Sequence, residues 1–209
     1  MLILVTSFGI LTALVFNGGI ADFESSVYAA IIKYRSSALT EIMITVTNMG
    51  SAFVIIAVTG IFLALPFTRM KFGIPIAINT AMSAGLNVIL KIAIARDRPD
   101  ILRLVGAAGY GFPSGHAMNN AALYALLALI VFRWTENNKI RLSILLFSIT
   151  VTAFIGVSRI YLGVHNAGDV LAGWIMGMAV ALFTDIMWRL IQDTHQKAYS
   201  FDQNKERRK

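Results

Sequence analysis

Three short segments hold the side chains with the capacity for chemistry. In the last of them, His165 and Asp169 stand four residues apart. That is about one helical turn, so the carboxylate can accept from one imidazole nitrogen and leave the other unprotonated and facing outward. An imidazole held in this tautomer is a base or a nucleophile. Arg159, just upstream, adds a cation. The middle segment is Pro113-Ser114-Gly115-His116. Pro and Ser predict a capped helix start here. Such a start leaves backbone N–H groups aimed outward as an anion site, and Gly115 lets a ligand approach the backbone. His116, at the lip of that helix, can hand over a proton near neutral pH. In the first segment Lys91 and Arg98 are seven apart, two turns, and share a face while the helix lasts. Pro99 discourages helix at Arg98. Two fixed cations suit a doubly charged oxyanion, and the guanidinium fork can grip two of its oxygens.

Each segment also has a plainer reading. The first is equally a pair of snorkelling cations at a membrane interface. The second is equally a turn before a capped helix with an incidental histidine. The third is equally a helix start with a satisfied His–Asp pair.

The elements that must position these groups are apolar. Of 209 residues, 57% are hydrophobic, 14% are charged and none is cysteine, against about 25% charged in an ordinary soluble domain. The mean hydropathy is +0.70. Disorder is excluded by that hydrophobicity and a disulfide scaffold by the absence of cysteine. The net charge of +7 raises nucleic-acid binding as a class. The basic residues, however, lie between long apolar runs and at the C-terminus rather than in one patch, the distribution of a membrane protein facing anionic lipid.

A spanning helix needs about 20 apolar residues. Six runs meet this: residues 1–20, 42–65, 72–95, 116–132, 142–157 and 170–191. The expectation is an all-α polytopic membrane protein, six spanning helices in one bundle over residues 1–192, with a basic cytoplasmic tail at 193–209. The first run lacks the positive start of a signal peptide and is expected to be retained. With both termini inside, eleven of the eighteen Lys and Arg fall on the inner side. Residues 96–113 and 158–169 then share the extracytoplasmic face. Asp97 and Asp100 are the outer acids expected near the site. Asn119 and Asn120 are read as cross-helix hydrogen-bonding groups, with lining of the cavity as the alternative, and Gly173 with Gly177 as a packing pair.

Taken together, Lys91 with Arg98-Pro99, then Pro113-Ser114-Gly115-His116, then Ser158-Arg159 with His165 and Asp169, resemble in order and spacing the signature of the type 2 phosphatidic acid phosphatase superfamily. The whole chain is similar to its six-helix members, and most of all to the small bacterial phosphatidylglycerophosphatase B-like enzymes. The resemblance implies a hydrolase for lipid phosphates in the cell membrane: phosphatidylglycerophosphate, phosphatidate or undecaprenyl diphosphate.

It further implies that Lys91, Arg98, Ser114, Gly115 and Arg159 bind phosphate and that His165 attacks phosphorus. Asp169 would orient His165, and His116 would protonate the leaving oxygen and then activate water. No cofactor, metal or nucleic acid is implied; three cations and a helix N-terminus already face the transferring group. Other readings of the same motifs are a lipid phosphotransferase, a vanadate-dependent haloperoxidase and a lipid-binding protein without turnover. Many members carry an aromatic residue after the nucleophilic His and Ser before the Asp. This chain has Asn166 and Gly168 there, which bears on substrate.

Overall fold

The computed structural model describes the backbone of residues 1–206 and the side chains of residues 1–194. Within them the chain is helical with no strand. The elements are α1 (Leu2–Phe16), α2 (Ala21–Ile32), α3 (Ser37–Met49), α4 (Ala52–Ala64), the short α5 (Pro66–Thr68), a π turn (Arg69–Gly73), α6 (Ile74–Ile94), α7 (Gly115–Trp134), α8 (Asn138–Tyr161) and α9 (Ala167–Glu206).

Four stretches are long and apolar enough to cross a bilayer unbroken: Pro66–Ile94, Gly115–Trp134, Asn138–Tyr161 and Ala167–Thr194. Of the other two expected runs, 1–20 holds α1 and the bend that follows it, and 42–65 crosses from α3 into α4. α1 and α2 meet at 90°, and α3 and α4 at 43°. The first bend follows Gly18, whose φ of +69° suits a residue without Cβ. α2 then opens with Asp22 and Glu24 in its first turn, where acids favour a helix N-terminus. Ser36 and Ser51 cap α3 and α4 by accepting from the N–H of Leu39 and Val54. The run at 42–65 thus spans a break that hydropathy passes over. The expected tail at 193–209 begins inside α9, whose backbone continues to Glu206; its side chains from 195 onward lie outside the described residues.

α7 is the central helix, packed against α6, α8 and α9. Its apolar positions, among them Ala117, Met118, Ala122 and Leu126, are fully buried. α9 lies unusually close to it. A Cβ on Gly177 would stand 2.3 Å from the Met118 carbonyl oxygen, and one on Gly173 would stand 2.8 Å from that of Ser114. The Gly173–Gly177 pair therefore serves packing inside the chain, as small residues do between membrane helices. Both asparagines of α7 bond across helices, Asn119 accepting from Ser83 at 2.7 Å and Asn120 donating to the Gly50 carbonyl at 2.9 Å. Large apolar side chains such as Phe53, Ile92, Leu146 and Phe154 face outward, as lipid-facing positions do.

Candidate active site

The site lies at one end of the bundle, where α6 and α8 end and α7 and α9 begin. α6 stops at Ile94, and Ala95 takes a left-handed conformation, φ 49°. Helix therefore ends four residues before Arg98, and the shared face expected from a seven-residue spacing is not what joins Lys91 to Arg98. The loop between α6 and α7 folds back instead. Lys91 donates to the Tyr110 carbonyl. Arg98 donates to the carbonyls of Ala108, Gly109 and Val164, each at 2.9 Å. The fork is thus pinned at several points, which fixes a side chain that otherwise carries large rotamer entropy.

The two rim loops are stitched together. The Leu104 N–H donates to the Leu162 carbonyl and the Ser114 N–H to that of Asp169, both at 2.9 Å. Gly163, φ +75°, lets the Leu102 carbonyl approach to 2.3 Å of where a Cβ would lie. No other residue type fits there without moving the loop.

His165 precedes α9 and is buried, as is Asp169. The imidazole Nδ1 lies 3.4 Å from Asp169 Oδ2. That oxygen also accepts the Asn166 N–H at 2.9 Å. On the other side of the ring, Arg98 Nη1 donates to Nε2 at 3.2 Å. A guanidinium has no acceptor, so Nε2 holds the lone pair and Nδ1 the proton. Burial pushes the His165 pKa down to about 4; the Asp169 carboxylate opposes this, while Arg98 and Arg159 add to it. The ring is neutral at pH 7. Burial also lowers the Arg98 pKa, Asp169 works against that shift, and Arg103 adds to it.

Arg159 is buried at the end of α8 and donates from Nη1 to Thr47 Oγ1 of α3 at 2.7 Å. Its Nε and the Ser114 hydroxyl are buried without a partner among the described residues. Unpaired buried donors are costly, and these two are available to an anion. Ser114 occupies the N-cap position of α7 but makes no capping bond. Pro113 lies outside the helix rather than in its first turn, and its carbonyl accepts from Asn87 of α6 at 3.3 Å. His116, in the first turn of α7, is within electrostatic reach of Arg159, His165, Arg98 and Lys91. All eight sequence-predicted site residues thus collect at one end of the bundle. Among the described residues no three His, Asp or Glu side chains cluster as metal ligands.

Asp97 and Asp100, the acids expected near the site, are exposed and enter no ion pair among the described residues. The acid that reaches in is Glu24 of α2, through Arg96. Arg96 donates to both Glu24 oxygens, at 3.0 and 2.7 Å, and to Asp169 Oδ1 at 2.6 Å. Burial opposes the Arg96 charge, but the bonds and charges of Glu24 and Asp169 outweigh it and hold its pKa above the ordinary value. Sequence reading missed Glu24, Arg96 and Thr47. An ionisable residue between two apolar runs is itself a signal at Glu24, yet nothing in the order of residues joins it to Asp169.

The PAP2 superfamily model matches residues 72–193. The chain is 30% identical over 174 residues to a phosphatidylglycerophosphatase B of Bacillus subtilis (strain 168), covering 82% of this chain and 86% of that one. It is 28% identical over 163 residues to an undecaprenyl-diphosphatase of Sulfolobus acidocaldarius, covering 74% and 73%. Among solved structures, the transmembrane PAP2-type phosphatidylglycerolphosphate phosphatase from Bacillus subtilis superposes with a TM-score of 0.80 at 26% identity, covering 91% of this chain and 96% of that one.

Proposed function

This chain belongs to the PAP2 superfamily and is a membrane lipid phosphatase, and from that premise we propose that it releases phosphate through a phosphohistidine formed on His165. The observation that carries the reading is the pair of contacts on the His165 ring. Nε2 accepts from Arg98 at 3.2 Å and Nδ1 faces Asp169, so the lone pair sits on the nitrogen beside the cations.

In the proposed reaction Lys91, Arg98 and Arg159 hold the phosphoryl oxygens, joined by the Ser114 hydroxyl and the Gly115 N–H. Their charge offsets the charge that spreads over the equatorial oxygens in transfer. Arg98 Nη1 turns from Nε2 to a phosphoryl oxygen, and the freed Nε2 lone pair forms the N–P bond as the P–O bond to the lipid breaks. His116, protonated once the bound phosphate dianion offsets the surrounding cations, gives its proton to the departing oxygen. Asp169 stabilises the cationic ring. In the second step His116 takes a proton from water, whose oxygen attacks phosphorus. The N–P bond breaks, inorganic phosphate leaves, and His165 is again neutral.

The substrate class is a lipid phosphate monoester or diphosphate. Phosphatidylglycerophosphate, phosphatidate and undecaprenyl diphosphate are the candidates, and the names of the two relatives support the first and third. The site is proposed to open on the extracytoplasmic face of the cell membrane, from the distribution of Lys and Arg.

The test is phosphate release by detergent-purified protein across a panel of lipid mono- and diphosphates, with rapid-quench trapping of phosphoenzyme. The expected result is turnover by wild type that chelators leave intact, with labelled phosphate on the protein. His165→Ala should lose both the label and at least a thousandfold in rate. Full turnover by His165→Ala would end the proposed mechanism. Product phosphorylated on an acceptor, in place of free phosphate, would make the enzyme a phosphotransferase.

A further inference from the structure

Arg96 lies between Lys91 and Arg98 in the chain but turns away from the anion-facing side of the site. Its guanidinium bridges two carboxylates, Glu24 on α2 and Asp169 on α9. The bridge divides the Asp169 oxygens by task. Oδ1 takes Arg96 at 2.6 Å, while Oδ2 takes the Asn166 N–H and faces His165 Nδ1. Asp169 is fully buried, and the Arg96 and Glu24 side chains are 19% and 10% exposed, so water screens this row of charges weakly.

Glu24 is seated by a second contact, accepting the Gly168 N–H at 3.2 Å. A Cβ on Gly168 would stand 2.5 Å from Glu24 Oε1 and 2.8 Å from Ile20 Cδ1. The missing side chain at 168 is what admits the carboxylate. Three separated stretches, the start of α2, the loop after α6 and the start of α9, therefore meet behind the His165–Asp169 pair.

We propose that Arg96, itself held by Glu24, is a positioning residue for phosphoryl transfer, and that α2 is thereby part of the catalytic unit. Arg96 fixes the Asp169 carboxylate so that Oδ2 meets His165 Nδ1. Glu24 offsets the Arg96 charge, which leaves Asp169 able to stabilise the ring as it becomes cationic. The titratable groups facing Asp169 are the neutral His165 ring, Arg96 with Glu24 behind it, and Lys91 and Arg98. Removing Arg96 leaves Glu24 and Asp169 as neighbouring like charges, which favours protonation of one of them. Since a protonated Asp169 cannot serve His165, activity should then fail at higher pH.

This inference rests on His165 being the nucleophile. The experiment uses full-length protein in nanodiscs: wild type, Arg96→Gln, Glu24→Gln, the double variant and His165→Asn, each assayed for kcat, KM, phosphoenzyme formation and thermal melting against pH. Arg96→Gln should lower kcat by about a hundredfold, with KM within about threefold, and move the acid limb up by about one pH unit. The double variant should recover part of that pH shift, because the second carboxylate is gone. A purely structural role would lower the melting temperature and move neither the pH limb nor its recovery.

Where Arg96→Gln does not purify as a folded protein, Gly168→Ala gives the reading, since it crowds Glu24 and leaves the Arg96–Asp169 contact. A kcat loss of about tenfold supports the proposal. Wild-type kcat and pH profile in folded Arg96→Gln or Gly168→Ala would overturn it. If His165→Asn is inactive in that same experiment, only the positioning role has failed; if His165→Asn turns over normally, the phosphohistidine reading has failed as well.

Discussion

Arg98 and His165 meet at 3.2 Å between Nη1 and Nε2, and this contact fixes the tautomer of the ring. The donor-only guanidinium requires an acceptor at Nε2, so the ring proton lies on Nδ1, facing Asp169. The same cation that is proposed to grip the substrate therefore keeps Nε2, the proposed nucleophile, unprotonated until phosphate arrives.

The first prediction concerns pH. His165 has a folded pKa of about 4, below the ordinary 6.5, so its ring should stay neutral down to about pH 5. Between about 4 and 6.5 the unfolded chain binds more protons than the folded one, and this residue's contribution to stability rises with pH across that window. It is lost as pH falls from 6.5 toward 4. Imidazole NMR on protein labelled at its three histidines, with His165 assigned by substitution, should show an Nδ1–H tautomer at pH 6. A midpoint near 6.5 would contradict the contact geometry.

Thr47 is the sole protein partner of the Arg159 guanidinium among the described hydrogen bonds. Replacing Thr47 with Val keeps the volume and removes the acceptor. The loosened guanidinium should bind phosphate less well, raising KM about tenfold, on the order of 1.4 kcal/mol, with kcat nearly unchanged. Steady-state kinetics on a short-chain lipid phosphate would read this directly, and an unchanged KM would dissociate Arg159 from substrate binding.

The α7–α9 contact separates stability from activity. Gly177→Val should lower the melting temperature in detergent by an amount equivalent to about 1–3 kcal/mol, the cost of forcing volume into a packed contact. Gly173→Val meets the Ser114 carbonyl and the Met118 N–H and should also lower kcat, because it displaces the start of α7. Equal activity per folded molecule in both variants would show that the start of α7 adjusts freely.

At the far end of α7, buried Asp185 pairs with Arg133 and Arg189. Asp185→Ala should destabilise by on the order of 2 kcal/mol, less than for a fully buried pair because Arg189 is half exposed. The KM should stay at the wild-type value. A changed KM with unchanged melting would reveal coupling along α7 between the two ends.

How much was legible in the sequence varies with the kind of interaction. Hydropathy located every long helix because a bilayer demands apolar length, and the spans at Gly115–Trp134 and Asn138–Tyr161 exceed their sequence estimates by one to four residues at each end. The break at Gly50 is invisible to it, since a bent span and a straight one have the same composition, whereas the run at 1–20 ends at the bend after Gly18. The motif residues were legible by type and spacing. Pro99 correctly signals that helix does not reach Arg98, but the helix ends earlier, at Ile94, so the loop beyond Ala95 and not a shared helical face brings Arg98 to His165.

By itself, then, the sequence determined that this is an all-helical membrane protein with two imidazoles, three cations and a carboxylate in three short segments. Those properties belong to residue types and local spacing. Only the tertiary structure decided that Glu24 reaches Asp169 through Arg96 and that Thr47 holds Arg159. Both links join residues far apart in the chain, and such contacts depend on how bent helices pack, which no local pattern encodes.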